Sequence, residues 1–216
     1  MIETFKFGYG QRSNLADPVF VPGMSEILEN LLERKTWRET RKLILDSHTN
    51  NNVDYYGGGF YQEDHGTTHL NVASQNEMVA LTQSINFAFG AGFRGKRTGI
   101  IFNDEMDDFS IPGKINDFGF PPSEVNFIEP GKRPQSSTCP TIIKRNGRNF
   151  SAVGGSGGSR ITTAVTQNVV NLLNFGMNIT DYVAGPRIHH QLSPMAVGYQ
   201  PGYRVVFKNV PKMSRK

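Results

Sequence analysis

Two features of the sequence predict an α+β fold. Pairs of strand-like segments are joined by short turns at 67–85 and 140–153, and amphipathic helical runs stand apart from them at 24–35 and 160–173. The chain has 216 residues, of which 37% are hydrophobic and 19% charged, the balance of a globular chain with a core. That length suits one domain or a large piece of a bigger one. The net charge of +4 is spread along the sequence apart from the basic tail Lys208, Lys212, Arg215, Lys216. No aromatic–basic motif accompanies it, so nucleic acid is not an expected partner.

From the N-terminus, residues 1–66 read as helix and loop. Met24–Lys35 carries Ile27, Leu28, Leu31 and Leu32 on one helical face, with Ser25 as its expected N-cap. A second helical piece is expected over Arg38–Leu45. The polar, Gly-rich stretch His48–Gly66 reads as an exposed linker. The texture changes at Thr67: Thr67–Ala73 is strand-like, Ser74-Gln-Asn turns, and Glu77–Ile85 returns. Gly99-Ile-Ile-Phe is expected as a short strand, followed by a Pro-rich loop of the length that is usually functional. Pro140–Lys144 and Arg148–Val153 flank Asn146-Gly147, the strongest short hairpin signal. Gly154-Gly-Ser-Gly-Gly-Ser then opens a helix that Ser159 is expected to cap. Ile161, Val165, Val169, Leu172 and Leu173 give it an apolar face, and Gly176 ends it.

Three segments have chemical potential. The Gly-rich mouth of the 160–173 helix offers backbone N–H groups to a phosphate or an oxyanion, or is a plain turn; Arg160 stands where a P-loop needs Lys, which disfavours nucleotide. Asn103-Asp-Glu-Met-Asp-Asp-Phe sets four carboxylates in five positions, suited to a cation or to solvent, without EF-hand spacing. Gly66-Thr67-Thr68-His69 opens a strand. His189-His190 are adjacent, and the sequence has neither His-x-x-x-His nor paired cysteines, so no metal site or cofactor is expected. The single cysteine, Cys139, forms no internal disulfide. The triplets Asn149-Phe-Ser and Asn178-Ile-Thr are glycosylation acceptors that weakly favour a secretory route.

Read in order, these segments resemble a known family. Thr67-Thr-His-Leu, Ser84-Ile-Asn, Gly99-Ile-Ile-Phe-Asn-Asp-Glu-Met-Asp-Asp-Phe-Ser, Pro130-Gly-Lys-Arg-Pro-Gln-Ser-Ser-Thr-Cys-Pro-Thr, Gly154-Gly-Ser-Gly-Gly-Ser-Arg-Ile and Gly185-Pro-Arg-Ile-His-His-Gln resemble the small subunit of γ-glutamyltransferases (γ-glutamyl transpeptidases). Phe5-Lys-Phe-Gly-Tyr-Gly-Gln-Arg-Ser and Ala16-Asp-Pro resemble the end of the large subunit. The resemblance runs to about Pro194. It implies two regions, 1–66 from the large subunit and 67–216 from the small one. It implies an N-terminal-nucleophile (Ntn) hydrolase sandwich, αββα, with two antiparallel sheets between helical layers, incomplete here at both ends.

The same resemblance implies a zymogen that cuts itself at Gly66–Thr67, the two segments staying associated. Thr67 then attacks γ-glutamyl amides such as glutathione, and water, an amino acid or a dipeptide takes up the γ-glutamyl group. Gly157 and Gly158 match the oxyanion-hole glycines, and Ser84 stands where many members place a second threonine. Asn86, Glu105 and Asp108 match the residues that hold the substrate's α-ammonium; Ser136 and Ser137 match those that hydrogen-bond its α-carboxylate. The family's main carboxylate-binding arginine has no counterpart here by motif, so little activity is expected of this chain alone. A non-catalytic relative that keeps the fold and acts by association is the alternative. The family implies the extracellular face of a membrane or a secretory compartment, while Met1–Lys6 has no signal-peptide character and no apolar run approaches a membrane span.

Overall fold

In the computed structural model, which describes residues 1–58, 66–114 and 122–203, helices and antiparallel hairpins alternate along the chain. They sort into two compact units. The first comprises Met1–Gln62, Met106–Ser136 and His190–Val197; the second comprises Glu63–Glu105, Ser137–His189 and Gly198–Lys216. Each unit therefore draws on both sides of the 66/67 boundary read from the sequence, or on several stretches of one side.

The first unit begins with α1 (Ile2–Arg12), α2 (Met24–Leu32) and α3 (Arg34–Leu43). Its core is Phe7, Tyr9, Tyr56 and Leu192, edged by Ile44, Val53, Tyr55 and Met195. Gly10 lets α1 approach this core closely, since a Cβ there would overlap the Tyr56 carbonyl. Lys6 on α1 is buried, which is tolerable only because its ammonium is fully engaged. It meets Glu3 at 3.2 Å, the Asn50 carbonyl at 3.2 Å, the Tyr56 hydroxyl at 3.3 Å and Thr49 Oγ1. Burial pushes the Glu3 carboxyl up, but hydrogen bonds from Thr49 and Tyr56 and the charge of Lys6 outweigh it and hold the group below its ordinary range.

Three expectations need correction here. Ser25 does not cap α2: it lies inside the helix, and Gly23, with φ of 78°, takes the cap position. The second helix starts at Arg34 rather than Arg38, so its side chains cap its predecessor. Trp37 Nε1 donates to the Leu31 carbonyl (2.7 Å) and Thr36 Oγ1 to that of Asn30 (2.6 Å). The stretch from His48 is not simply an exposed linker. Asn52 Oδ1 caps a 3-10 turn at Val53–Tyr56, and Tyr56 is 1% exposed in the core. Residues 59–65 of that stretch lie outside the described residues.

The second unit is built on two hairpins. Strands β1 (Thr67–Ala73) and β2 (Met78–Ser84) pair antiparallel from Thr67↔Ser84 to Ala73↔Met78. Strands β3 (Thr141–Arg145) and β4 (Arg148–Val153) pair across Asn146 and Gly147, whose φ values of 52° and 75° are those of a type I′ turn. Asn71 Nδ2 donates to the Ala152 carbonyl (3.2 Å) and Asn149 Nδ2 to that of Asn76 (3.0 Å), tying the hairpins together. Helix α4 (Arg160–Asn174) buries Ile161 and Val165 against Val153 and Tyr182, the latter on α5 (Ile179–Ala184). Strands β5 (Ile188–His189) and β6 (Gly198–Tyr199) form a third pair, held to α4 by Gln167, which bonds both the N–H and the carbonyl of Ile188.

Gly176, with φ of 62°, follows the end of α4 as expected. Ser159 occupies the N-cap position with helical backbone and makes no side-chain cap bond, contrary to expectation. Gly99–Phe102 is not a strand: only an isolated bridge, Arg94↔Ile101, forms there, and Ile100 and Ile101 are exposed. Among the described residues no helix is long and apolar enough to cross a membrane.

Candidate active site

The hairpin register sets Thr67, the first residue of β1, opposite Ser84, the last of β2. The Thr67 hydroxyl donates to Ser84 Oγ at 3.0 Å, and Ser84 Oγ also accepts the Asn86 N–H at 3.0 Å. Beyond this pair the ladder bulges. Ile85 N–H donates to the Gly66 carbonyl at 2.9 Å, Gly66 N–H donates to the Asn86 carbonyl, and Asn86 turns left-handed with φ of 66°. Two residues thus oppose one, the arrangement by which sheets re-aim side chains beside active sites. A Cβ on Gly66 would lie 2.7 Å from the Asn86 carbonyl oxygen and closer still to that of Phe87, so only glycine fits without a shift.

The same turn receives the acidic segment. Asn86, 0% exposed, donates from Nδ2 to the Asp104 carbonyl at 3.3 Å; Asp104 Oδ1 accepts the Phe87 N–H at 3.1 Å; and Asn103 Oδ1 accepts the Glu105 N–H at 3.1 Å. Asp104 N–H returns to the Ile85 carbonyl at 3.3 Å. Two buried acceptor oxygens, Asn86 Oδ1 and Glu105 Oε1, have no hydrogen-bond partner among the described residues. Buried acceptors are rarely left so, and each such group calls for a donor supplied from elsewhere.

The Gly-rich segment belongs to this unit as well. Gly157 and Gly158 have φ of 119° and 58°, and their carbonyls accept the first N–H groups of α4, from Arg160 (3.2 Å) and Ile161 (3.0 Å). Gly157 faces open space, whereas a Cβ on Gly154 would overlap the His69 ring. That imidazole is fixed by Thr82 Oγ1 at 2.8 Å and Asn71 Oδ1 at 2.9 Å. His69 lies two residues after Thr67 on the same face of β1, so it seats the start of the glycine segment beside the strand that begins with Thr67.

Thr67, Ser84, Asn86, Glu105, Ser137, Gly157 and Gly158 all fall in the second unit, with Ser137 buried; Asp108 and Ser136 fall in the first. There the Asp108 carbonyl accepts Asn126 Nδ2 at 2.7 Å. The sequence reading missed His69 and Asn126. Only the bare His after Thr67-Thr68 could have flagged the former. His189 and His190 are spoken for locally, by Thr163 Oγ1 at 2.8 Å and by the Leu192 N–H at 3.0 Å.

The profile of the γ-glutamyltranspeptidase family matches residues 1–211, well past the Pro194 limit read from motifs. The chain belongs to this family. It is 45% identical over 198 residues to glutathione hydrolase proenzyme 1 of Schizosaccharomyces pombe, covering 91% of this chain and 31% of that protein. It is 42% identical over 191 residues to "Putative inactive glutathione hydrolase 4" of Arabidopsis thaliana, covering 87% of this chain and 99% of that one. Among solved structures it matches the γ-glutamyltranspeptidase of Pseudomonas nitroreducens complexed with L-DON, with a TM-score of 0.58 at 40% identity over 65% of this chain and 75% of that one. The chain spans about a third of the length of the first curated relatives it matches. Its fold is the α+β Ntn-hydrolase sandwich that the resemblance implies, although the strands among the described residues form three two-stranded sheets where two sheets were expected.

Proposed function

We propose that this chain is the catalytic segment of an enzyme that transfers or hydrolyses the γ-glutamyl group of glutathione and related amides, with Thr67 as nucleophile. The observation that carries the reading is the cluster at the β2 exit. There the Thr67 hydroxyl is aimed at Ser84 while Asn86 Oδ1 and Glu105 Oε1 stand buried without donors among the described residues. A substrate α-ammonium brings three N–H donors, the chemistry these oxygens lack.

Activation begins with Thr67 Oγ adding to the Gly66 carbonyl carbon, whose oxygen Ile85 N–H stabilises. The Gly66–Thr67 C–N bond breaks, the hydroxyl proton ends on the departing Thr67 nitrogen, and water hydrolyses the ester left behind. The new α-amino group has an ordinary pKa of ~7.7–8.0, so it is partly neutral near pH 7 and can serve as the base that a threonine hydroxyl needs. Thr67 then attacks the γ-carbonyl, and the amine passes the proton to the leaving nitrogen. Gly157 and Gly158 N–H groups hold the oxyanion, a donor of this kind being worth ~3–4 kcal/mol. Asn86, Glu105 and Asp108 hold the ammonium, and Ser136 and Ser137 the carboxylate. Water, an amino acid or a dipeptide takes the acyl group. The two segments remain associated after the cut, and the family suggests the extracellular face of a membrane or a secretory compartment.

The test is release of a chromogenic amine from a γ-glutamyl anilide, read beside a denaturing gel. Two polypeptides and turnover, both lost in Thr67→Ala, support the reading; an uncut chain with turnover unaffected by Thr67→Ala refutes it. A second reading, a non-catalytic member, is favoured by one observation, the Arabidopsis relative of matching length whose printed name calls it inactive. An uncut, folded chain without turnover would select it.

A further inference from the structure

Asn126 closes a 3-10 turn at Glu124–Asn126, is 7% exposed, and uses every polar group it has. Its Nδ2 donates to the Asp108 carbonyl at 2.7 Å and its Oδ1 accepts the Gln135 N–H at 3.0 Å. Its own N–H donates to the Ser123 carbonyl at 3.1 Å, and its carbonyl accepts the Ser110 N–H at 2.9 Å. One short side chain therefore bridges the acidic segment, at Asp108, and the residue immediately before Ser136. The far end of the bridge is itself fixed. Gln135 Nε2 donates to the carbonyls of Arg12 (2.6 Å) and Leu15 (2.9 Å), its Oε1 accepts from Arg12 Nη1 (3.2 Å), and Arg133 grips Asp17 with three bonds of 2.8–3.0 Å.

We propose that Asn126 is a positioning residue that sets the spacing between Asp108 and Ser136, and so selects substrates with both an α-ammonium and an α-carboxylate at that separation. The inference rests on the reading of those two residues as headgroup contacts. The amide carries its donor and its acceptor on two separate atoms, so one side chain bonds the Asp108 carbonyl and the Gln135 N–H at once. A carboxylate of the same shape would turn an acceptor towards the Asp108 carbonyl and push the two segments apart, while alanine would remove both bonds of the bridge.

The experiment compares the full chain with Asn126→Asp, which keeps the volume, and Asn126→Ala, on γ-glutamyl anilide and on 4-aminobutyryl anilide, which lacks the α-carboxylate. KM for the γ-glutamyl substrate should rise at least ten-fold with kcat changed less than about three-fold. The preference for γ-glutamyl over 4-aminobutyryl, in kcat/KM, should fall about ten-fold, and self-cleavage should persist. Asp108→Asn and Ser136→Ala run in parallel. If these two raise KM while a folded Asn126→Asp leaves both KM and preference unchanged, the positioning role is refuted and the headgroup reading stands. Equal losses on both substrates refute it too, as a merely structural effect. If Asp108→Asn and Ser136→Ala leave KM unchanged, the headgroup reading falls and the inference with it.

Discussion

Gly66 is hemmed in by backbone, not by side chains that could yield. The carbonyls of Asn86 and Phe87 occupy the space a Cβ would need, and the Gly66 carbonyl is at the same time held by Ile85 N–H. Gly66→Ala must therefore shift backbone, which costs about 1–3 kcal/mol in a packed site and moves the carbonyl off its donor. The expected outcome is cleavage at Gly66–Thr67 slowed at least ten-fold, followed as appearance of the two polypeptides with time; cleavage at the native rate would show that the bulge can relax freely. At this scale Thr67 and Ser84 were singled out by the resemblance alone; what the residues themselves gave was the hairpin with its turn at Ser74-Gln-Asn, whose register sets the two opposite each other. Asn126 was legible in neither way. An asparagine near a proline reads as turn chemistry, and its partners, Asp108 and Gln135, are brought to it by the loop's path rather than by any periodicity. His69 was hidden for a similar reason: its role depends on the bare backbone of Gly154, contributed by a distant stretch of chain.

Among the elements, the loop at 131–136 is held to the end of α1 by Gln135 and to the segment after it by the charge pair of Arg133 and Asp17. Arg133 donates Nε and Nη2 to the two oxygens of Asp17, and its backbone N–H to one of them; these bonds hold the Asp17 carboxyl well below its usual range. A carboxyl with a lowered folded pKa stabilises the fold above its unfolded value, near ~3.9, and loses that contribution as pH falls through the folded value. The guanidinium is largely exposed, so solvent and salt weaken the pair. The Tm difference between the native chain and Asp17→Asn should thus be largest near pH 7 and shrink below about pH 4. A difference unchanged down to pH 3 would assign the contact to packing instead of charge. Elements were legible where local chemistry dictated them: Asn146-Gly147 supplies two left-handed residues and so makes its hairpin. They were misread where partners decide. Ile100, Ile101 and Phe102 have strand-like side chains, but only Ile101 finds a bridge, so no strand propagates. Tyr56 sits in polar sequence yet is drawn into the core by Phe7, whose ring meets it edge-on at 4.8 Å.

Across the whole molecule, the proposed cut falls between residues that share one unit's core. Phe7, Tyr9 and Tyr56 precede Gly66, whereas Leu192, packed with them at 0% exposure, follows it. The contacts of Asp17 with Arg133, and of Arg12 and Leu15 with Gln135, span the same divide. Breaking one peptide bond removes none of these contacts; what it adds is the possibility of separation, opposed by buried apolar area at roughly 25 cal/mol per Å². The two pieces should therefore run apart on a denaturing gel but travel together in native size-exclusion chromatography, and a tag on the first piece should recover the second. Leu192→Ala, losing about 2–5 kcal/mol of core packing, should release the second piece into the flow-through after cleavage while leaving the Thr67–Ser84 hairpin in the other unit unaltered. Because Asp17 and Arg133 contribute by charge, release from the Leu192→Ala protein should increase further at pH 3 and at high salt. Recovery of the first piece alone from the native protein at neutral pH would mean that the contacts across the divide do not suffice to hold the cut chain together.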